Sequence, residues 1–425
     1  MANLDEELWA GDVIIIGGGA SGLLSARELL SRGCSVTLVE ASGLGAAQSG
    51  HSHGYLHRGH IYDSPSRNLV DTLRNGADAW LHILDDVGIQ PLNATASVAF
   101  TDAYTATKAE RAWRSAGLDE VAPGDMPDGF RAGTLTRVFE TREPTFDFTP
   151  WLVYMKTLLA GEASLVHGYA QRLIRRGAAI EGVVVRRGTS TLLLRSHVVL
   201  LCAGVANLEL AQTATRYRGP ASNRTSYMLC LRHHSLPSAS VVVQGNASYG
   251  LFLVSRETDS VPTWLLSNFV SYAGEANSPR SAALWCRAAA LTLERLTTVF
   301  ELADLYWGIY PAPKGELRED RRTLNPHSVR SYGLSNCLVA APSKLTLCPL
   351  LAKRASDRAV ERVPRQHRAP TRTGFEDEIP IADERFRSVM WRPGQSLRHL
   401  MREPGTDLDV DLDESDGGSS VHLHE

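Results

Sequence analysis

The feature that most constrains this chain lies near its start, where a short β-branched run leads directly into a glycine-rich turn. Residues 12–16 have the composition of a buried parallel strand, and the sequence at 17–22 has G-x-G-x-x-G spacing. An apolar face over 23–30 predicts a helix after the turn, and an alternating run then ends at Glu40. This order of strand, glycine turn, helix and strand predicts a Rossmann-like βαβ unit.

Each part of the motif has a physical reason that points to a dinucleotide. The first glycine permits a tight turn, the second lets the backbone approach a pyrophosphate, and the third lets helix and strand pack closely. The helix N-terminus offers unpaired N–H groups to the phosphates, and an acid at the strand end can accept hydrogen bonds from ribose hydroxyls. An acid there disfavours a 2′-phosphate, so NADP is not expected. The expected contacts are Gly17, Gly19, Ala20, Ser21, Gly22 and Glu40.

The residues after Glu40 favour FAD over NAD. Residues 41–59 are mostly small, which suits close approach by a bulky planar cofactor, and residues 48–62 read Q-S-G-H-S-H-G-Y-L-H-R-G-H-I-Y. This stretch resembles the Q-[ST]-G-H-N-S-G-V-x-H-x-G-x-x-Y pattern of FAD-dependent amino-acid and hydroxy-acid oxidases (the DAO superfamily), and is most similar to the L-2-hydroxyglutarate oxidase group. It departs from the pattern at Ser52, His53 and Tyr55.

Three later segments are similar to parts of the same superfamily. They are the β-rich region after residue 162, the apolar strand ending in C-A-G near residue 204, and the segment 338–348, which resembles the family's closing loop. The resemblance implies a bound FAD and an oxidase or dehydrogenase activity. The further cofactor contacts that it implies are Ala41, Gln48, Ser49, His51, Ser52, Val166, Ala203, Gly204, Ser343, Leu345 and Thr346.

The resemblance also suggests catalytic residues. His57 matches a family histidine, and it is either a catalytic base or substrate contact or a hydrogen-bonded structural residue. As a base it would give a rate that rises with pH near the ordinary histidine pKa of about 6.5. His51 is a candidate for covalent flavin attachment. We expect no metal at the cluster of His51, His53, His57 and His60, because no Cys, Asp or Glu accompanies it.

Two departures from the family bear on the substrate. Lys344 replaces a family proline, and it could place positive charge near the flavin, bind substrate or point to solvent. Tyr310 aligns with a family arginine that can hold a substrate carboxylate. Unless Arg58, Arg232 or Lys344 takes over that role, the substrate is not an ordinary 2-hydroxy or 2-amino acid. A shifted alignment at Tyr310 is the alternative.

The chain organisation predicts an α/β fold: a Rossmann-like FAD-binding domain with an inserted α+β substrate domain built on a mixed sheet. We assign 1–87, 146–219 and 331–363 to the first domain and 88–145 and 220–330 to the second. A helix over 281–302 would cover the substrate sheet. Residues 364–425 are expected to form a solvated C-terminal extension that ends in an acidic, disordered tail.

Composition narrows the class of partner. The 425 residues carry a net charge of −3, which gives no general attraction to nucleic acid, and no apolar run is long enough to span a membrane. Six scattered cysteines and an acidic N-terminus predict a cytoplasmic protein. We expect an enzyme that takes hydride from a CH–OH or CH–NH carbon of a small molecule, in secondary metabolism, and passes electrons to oxygen or another acceptor. The alternatives are a flavin monooxygenase that uses NAD(P)H and a non-catalytic flavoprotein.

Overall fold

The computed structural model describes ten stretches of the chain, and every structural statement below concerns them. They are residues 6–119, 121–216, 223–245, 250–268, 272–273, 279–315, 329–342, 344–364, 376–381 and 389–402. These residues form three sheets with helices packed on their faces, so the predicted mixed α/β fold class is confirmed. In the described residues no helix is long and apolar enough to cross a membrane.

The predicted βαβ unit forms the centre of a six-stranded sheet. Its order is β18-β19-β11-β2-β3-β7, and all of its pairs are parallel except β18 with β19. Four consecutive apolar residues in β2 and in β11 are buried because both faces of this sheet are covered. The strands are β2 Val13–Ile16, β3 Val36–Glu40, β7 Ser164–His167, β11 Val198–Leu201, β18 Val329–Arg330 and β19 Cys337–Ala340.

Helices cover one face of this sheet and a second sheet covers the other. The helices on the first face are α1 Ala20–Leu30, α2 Arg67–Asp86, α4 Thr149–Glu162 and α7 Cys348–Val360. On the opposite face lie α5 Asn207–Gln212 and a four-stranded sheet of order β1-β10-β9-β8. Its strands are β1 Glu6–Trp9, β8 Tyr169–Arg176, β9 Ala179–Arg187 and β10 Ser190–Arg195.

The third sheet is mixed and has ten strands. Its order is β20-β17-β12-β15-β14-β13-β4-β6-β5, with β16 paired to β12, and β13 runs parallel to β4. Three helices accompany it: α3 Ala103–Ser115, α6 Pro279–Leu296 and α8 Gly394–Arg402. Its strands are β4 Ala96–Phe100, β5 Val121–Pro123, β6 Arg137–Thr141, β12 Arg224–Arg232, β13 Ser240–Gln244, β14 Leu251–Thr258, β15 Val261–Ser267, β16 Tyr272–Ala273, β17 Tyr306–Lys314 and β20 Arg392–Pro393.

The two faces of the ten-stranded sheet have different neighbours. Alternate residues such as Leu229, Leu266 and Trp307 pack with α6 and α8 in one apolar cluster. The residues between them, including Ser267 and Tyr310, contact the segment 51–62 that follows the glycine motif. Helix α6 therefore covers the sheet as expected, but on the face away from segment 51–62.

Two parts of the expected solvated extension pack into the fold. Ile379 is fully buried in the main apolar cluster of the six-stranded sheet, and β20 pairs with the start of β17. Helix α8 buries Leu397 and Met401 against α6, because these residues lie four apart on one helical face. Residues 376–381 and 389–402 thus belong to the folded structure, whereas the acidic tail at 403–425 lies outside the described residues.

Candidate active site

The three motif glycines differ in what surrounds them. A Cβ on Gly17, whose φ is +108°, would lie 2.5 Å from the Cys202 carbonyl oxygen, and one on Gly22 would lie 1.9 Å from the Gly17 oxygen. These two glycines are required by the packing of β2, α1 and β11. Among the described residues, a Cβ on Gly19 would meet only the Ser49 hydroxyl, at 3.1 Å. Gly19 therefore borders open space at the N-terminus of α1.

The donor groups at this helix N-terminus have few protein partners. Gly19 provides no capping side chain, and the Ala20 N–H donates to Ser49 Oγ at 2.9 Å. The Ser21 hydroxyl turns away toward Cys348 Sγ, at 3.6 Å. The N-terminus of α1, at Ala20 and Ser21, is therefore suited to an anion, because the first N–H groups of a helix have no partners within it.

Glu40 ends β3 beside the glycine turn. Its carboxylate accepts hydrogen bonds from the Gly18 N–H at 2.7 Å and the Ser42 N–H at 2.8 Å. Ala41 is exposed, and the fully buried Val166 on β7 lies opposite Val39 in the parallel register. The carboxyl ends of neighbouring parallel strands therefore bring the turn, Glu40 and Val166 to one edge of the sheet.

The segment after the motif joins this edge to the ten-stranded sheet. Gln48 Oε1 accepts the Gly315 N–H at 3.1 Å, and Ser52 Oγ accepts the Gly54 N–H at 3.1 Å. A Cβ on Gly315 would also lie 2.4 Å from the Gly204 carbonyl carbon, so the end of β17 packs directly on the loop after β11. In that loop Gly204 has a φ of +55°, and the Ala203 N–H donates to Asn207 Oδ1 at 2.7 Å.

The four histidines of segment 51–62 have different neighbours. His51 lies 5.3 Å from Tyr310 between ring centroids, and His53 Nε2 lies 2.9 Å from Ser267 Oγ. His57 lies between Tyr55 and Tyr62, and His60 packs edge-on against Trp113. In the described part of the chain no group of three or more His, Cys, Asp or Glu side chains is placed to hold a metal ion.

A buried carboxylate that sequence reasoning missed, Glu143, fixes this segment. It is fully buried, and it accepts hydrogen bonds from the Tyr55 hydroxyl at 2.7 Å and from the backbone N–H groups of Arg58 and Gly59. His60 Nδ1 lies 3.1 Å away. Burial alone would raise the pKa of Glu143, but His60, His57 and Tyr55 lower it to about 2. The carboxylate therefore stays ionised inside the protein.

His57 is buried and has an available nitrogen. Its Nδ1 has no hydrogen-bond partner in the described residues, and burial together with the charge of Lys344 lowers its pKa to about 3. The imidazole is therefore neutral at physiological pH, with one acceptor nitrogen. The sequence led us to expect a rate that rises through pH 6.5, whereas this environment predicts no titration of His57 there.

The closing loop brings the charge of Lys344 near enough to His57 to lower the pKa of the imidazole. Its ammonium lies 5.6 Å from the Tyr62 ring centroid, a cation–π distance, while the half-buried side chain leaves it partly accessible. The next residues pack against α2: Leu345 O accepts the Trp80 Nε1–H at 2.8 Å. Thr346 is buried, and its hydroxyl has no partner in the described residues. Ser343 lies outside them.

Tyr310 lies on β17 with a buried side chain, in the position that the sequence alignment gives to the family arginine. Two of the three cations that could replace that arginine are engaged elsewhere. Arg58 pairs with Asp78 at 2.5 Å, and Arg232 pairs with Asp259 at 3.4 Å and stacks on Trp391. Lys344 is the remaining one of the three.

A second group that the sequence did not indicate comes from the C-terminal stretch. Val389 is buried in one apolar cluster with Tyr310, Ala312 and Met228, and Trp391 packs against that cluster. A Cβ on Gly308 would lie 2.2 Å from Val389 Cγ1, so the contact with β17 is close. No motif signals these residues, because their role depends on a pairing between distant parts of the chain.

Comparisons with known proteins agree with this geometry. A family model described as FAD dependent oxidoreductase (DAO) matches residues 12–358. The chain belongs to this family of FAD-dependent oxidoreductases. The predicted DAO superfamily, FAD cofactor and enzyme class are confirmed, whereas the nearer resemblance to L-2-hydroxyglutarate oxidases is not shown.

One curated relative and one solved structure cover most of the chain. A probable FAD-dependent oxidoreductase of Pseudomonas aeruginosa is 25% identical over 368 residues, which are 82% of this chain and 91% of the relative. A crystal structure of an FAD-dependent oxidoreductase from that organism has a TM-score of 0.63 at 20% identity and covers 94% of this chain and 100% of its own.

Two further solved structures share the fold at lower identity. L-proline dehydrogenase from P. horikoshii has a TM-score of 0.66 at 12% identity, over 85% of this chain and 97% of its own. L-α-glycerophosphate oxidase from Mycoplasma pneumoniae, solved with FAD bound, has a TM-score of 0.62 at 14% identity, over 84% and 98%.

The residues present fit FAD. The open space at Gly19 lies at the helix N-terminus where a pyrophosphate would be held, and Glu40 is next to it. The unpartnered groups of His57 and Thr346 are buried polar atoms, which ordinarily have a hydrogen-bond partner. A bound cofactor or substrate would supply one.

Gly19→Val is expected to abolish FAD binding without unfolding the protein. The extra methyl groups would occupy the space left for the pyrophosphate, while the part of the chain that the structure describes offers only the Ser49 hydroxyl as a close neighbour. Flavin absorbance after purification and the thermal midpoint of the apoprotein measure the two effects. Gly161→Val, at an exposed glycine with nothing within 4 Å, is the control and should keep FAD. Stoichiometric FAD in Gly19→Val would contradict the assignment of the site.

Acid is expected to destabilise the protein through its neutral buried imidazoles. Burial lowers the pKa of His53 and His57 to about 3, whereas unfolded histidine titrates near 6.5. Between these values the unfolded chain binds more protons, so the free energy of unfolding falls as the pH drops from about 6.5 toward 3. The thermal midpoint at pH 7, 5.5 and 4.5 measures this. His53→Gln should flatten the dependence, and His234→Gln, at an exposed position, should not. If the thermal midpoint depends on pH equally in the unmodified protein and in both variants, the expected contribution of His53 is wrong.

Proposed function

We propose that this FAD-dependent oxidoreductase oxidises a small amino or hydroxy acid at its CH–NH or CH–OH carbon. The observation that carries the proposal is the pair formed by His57, a neutral imidazole with an unpartnered nitrogen, and Lys344, a cation beside it. The similar proline dehydrogenase and glycerophosphate oxidase are named for one nitrogen and one oxygen donor. Proline carries a carboxylate and glycerophosphate carries a phosphate, and either anionic group suits a site with a lysine.

The roles of the two residues follow from their chemistry. FAD, when bound, supplies the hydride acceptor. His57 accepts a hydrogen bond from the donor O–H or N–H and takes its proton as the hydride leaves, so that the alcohol or amine becomes a carbonyl or an imine. Lys344 binds the substrate carboxylate. Its ammonium is a point charge, so it fixes the carboxylate less rigidly than the two-pronged arginine contact of relatives would.

The substrate pocket would then lie between segment 51–62 and the face of the ten-stranded sheet that carries Tyr310. Where the family pattern has an arginine, this face of the sheet carries the aromatic ring of Tyr310. An aromatic ring there favours a substrate with an apolar part. A nearer kinship with L-2-hydroxyglutarate oxidases, whose pattern residues 48–62 resemble, is part of the proposal. Such a substrate has two carboxylates. Lys344 would bind one of them, and Tyr310 offers no positive charge for the other.

The electron acceptor and the compartment are also proposals. Reduced flavin would pass its electrons to oxygen or to another acceptor, and anaerobic against aerobic turnover distinguishes them. A cytoplasmic location is supported by six cysteines that are all buried and are scattered singly along the sequence.

His57→Ala is expected to keep FAD and to slow flavin reduction about 100-fold. General bases contribute roughly 10² to 10⁴, and a base whose pKa lies far below the working pH belongs at the low end. Stopped-flow reduction by a panel of amino and hydroxy acids under anaerobic conditions measures it. The unmodified protein should show no step near pH 6.5. A step there that disappears in His57→Ala would contradict the neutral imidazole, and reduction at the normal rate would exclude His57 from proton transfer.

Lys344→Met should raise KM for an acid substrate about 10 to 100-fold, because a hydrogen bond to a charged group contributes roughly 1.5 to 3 kcal/mol. A donor of similar shape without the carboxylate should lose nothing. Lys156→Met removes a lysine that pairs with exposed Glu378 and is the control. Steady-state kinetics with both donors measures the difference. Equal effects on the two donors would place the substrate carboxylate elsewhere.

A further inference from the structure

Residues 376–381, which we call the C-terminal strap, lie beyond the part of the chain that matches the family. The strap extends the edge of the six-stranded sheet at β7. Glu376 forms a parallel bridge with Leu165, and the Asp377 N–H donates to the Leu165 carbonyl at 3.1 Å. Asp377 Oδ2 in turn accepts the His167 N–H at 2.9 Å. The strap therefore provides the hydrogen bonds that the edge strand lacks on its outer side.

The other end of the strap contacts the loop after Glu40. The Pro380 carbonyl accepts the Leu44 N–H at 2.8 Å, and Ile381 forms a parallel bridge with Leu44. Between these contacts Ile379 is fully buried in the same apolar cluster as Leu44 and Leu165. The strap is thus held at both ends and in the middle.

These contacts lead directly to the cofactor residues. The Gly45 N–H, next to Leu44, donates to the Gly18 carbonyl at 2.9 Å, and the Gly18 N–H donates to Glu40 at 2.7 Å. On the other side, the Gly168 N–H donates to the Glu40 carbonyl at 2.9 Å, next to His167. The strap therefore bonds to two backbone segments next to Glu40, the residue expected to bind the ribose. One is the loop at Leu44, and the other is the end of β7 at His167.

We propose that the C-terminal strap is part of the FAD-binding structure, with Asp377 as a positioning residue that holds the ribose-binding edge in place. Strap docking and FAD binding are then coupled: FAD favours the docked strap by the same factor by which the docked strap favours FAD. The inference rests on the FAD dependence of the family, and it needs no assumption about the substrate.

The strap offers a matched pair of acids for the test. The Asp377 side chain is 12% exposed and forms an ion pair with Arg187 in addition to its bond to His167. The neighbouring Glu378 is 87% exposed and pairs only with Lys156 in the described residues. Replacing each by alanine removes one carboxylate from the same six residues, but only the first contacts the sheet edge.

Asp377→Ala should raise the dissociation constant of FAD for the apoprotein about tenfold, and Glu378→Ala less than twofold. Titration of deflavinated protein with FAD, followed by quenching of flavin fluorescence, gives both constants. Ile379→Ala, which removes buried contacts of the strap but no charge, should also weaken FAD. If all three variants bind FAD within twofold of the unmodified protein, the strap has no role in the site.

A readout on the strap itself separates positioning from general destabilisation. Saturating FAD should slow hydrogen exchange of the Leu44 and Asp377 amides at least fivefold in the unmodified protein, and this slowing should be lost in Asp377→Ala. Exchange in the strap that FAD leaves unchanged overturns the coupling, even where Asp377→Ala lowers affinity. An unmodified apoprotein that does not bind FAD would overturn the cofactor assignment itself, and the strap proposal with it.

Discussion

The ionised carboxylate of Glu143 is the interaction on which the geometry of this site depends. Transfer of a carboxylate into a protein interior costs several kcal/mol unless hydrogen bonds and charges offset it. Here the offset comes from the backbone of Arg58 and Gly59, the Tyr55 hydroxyl and His60. All of these groups belong to the segment that carries His57. Satisfying one buried charge therefore fixes a glycine-containing loop that has no regular secondary structure of its own.

The same burial determines the electrostatics of the candidate catalytic group. Glu143 is ionised and raises the pKa of His57, but burial and Lys344 act in the opposite direction and outweigh it. A neutral imidazole next to a cation is suited to hold a donor hydrogen while the cation holds an anionic substrate. The segment is also attached to the ten-stranded sheet through His53 and Ser267 and through Gln244, which donates to the His60 carbonyl at 3.1 Å. Movement of the ten-stranded sheet relative to the six-stranded sheet would therefore displace His57.

The sequence was most informative where chemistry and local geometry coincide. The glycine turn, the strand that ends at Glu40 and the FAD cofactor could be predicted because Gly17 and Gly22 answer local steric demands, Gly19 leaves space for a ligand, and the parallel strands bring their ends together. Glu143 could not, because an acid in the loop between β6 and α4 resembles any surface residue until its hydrogen-bond donors are known. The low pKa of His57 was missed for a similar reason: it arises from burial by residues that are distant in sequence.

The C-terminal stretch shows why composition fails at the boundary of a domain. Charged and proline-rich sequence predicts solvation on average, yet a few residues are enough to dock a segment when an edge strand needs partners. β7 is such an edge, and the strap supplies a carbonyl, an N–H and a carboxylate to it and to the adjoining loop, with Ile379 as a single apolar anchor. A second stretch pairs with β17 and buries Val389 beside Tyr310. One extension thus contacts both the edge expected to bind the ribose and the sheet face of the proposed substrate pocket, so we expect its sequence to influence cofactor affinity and substrate choice separately.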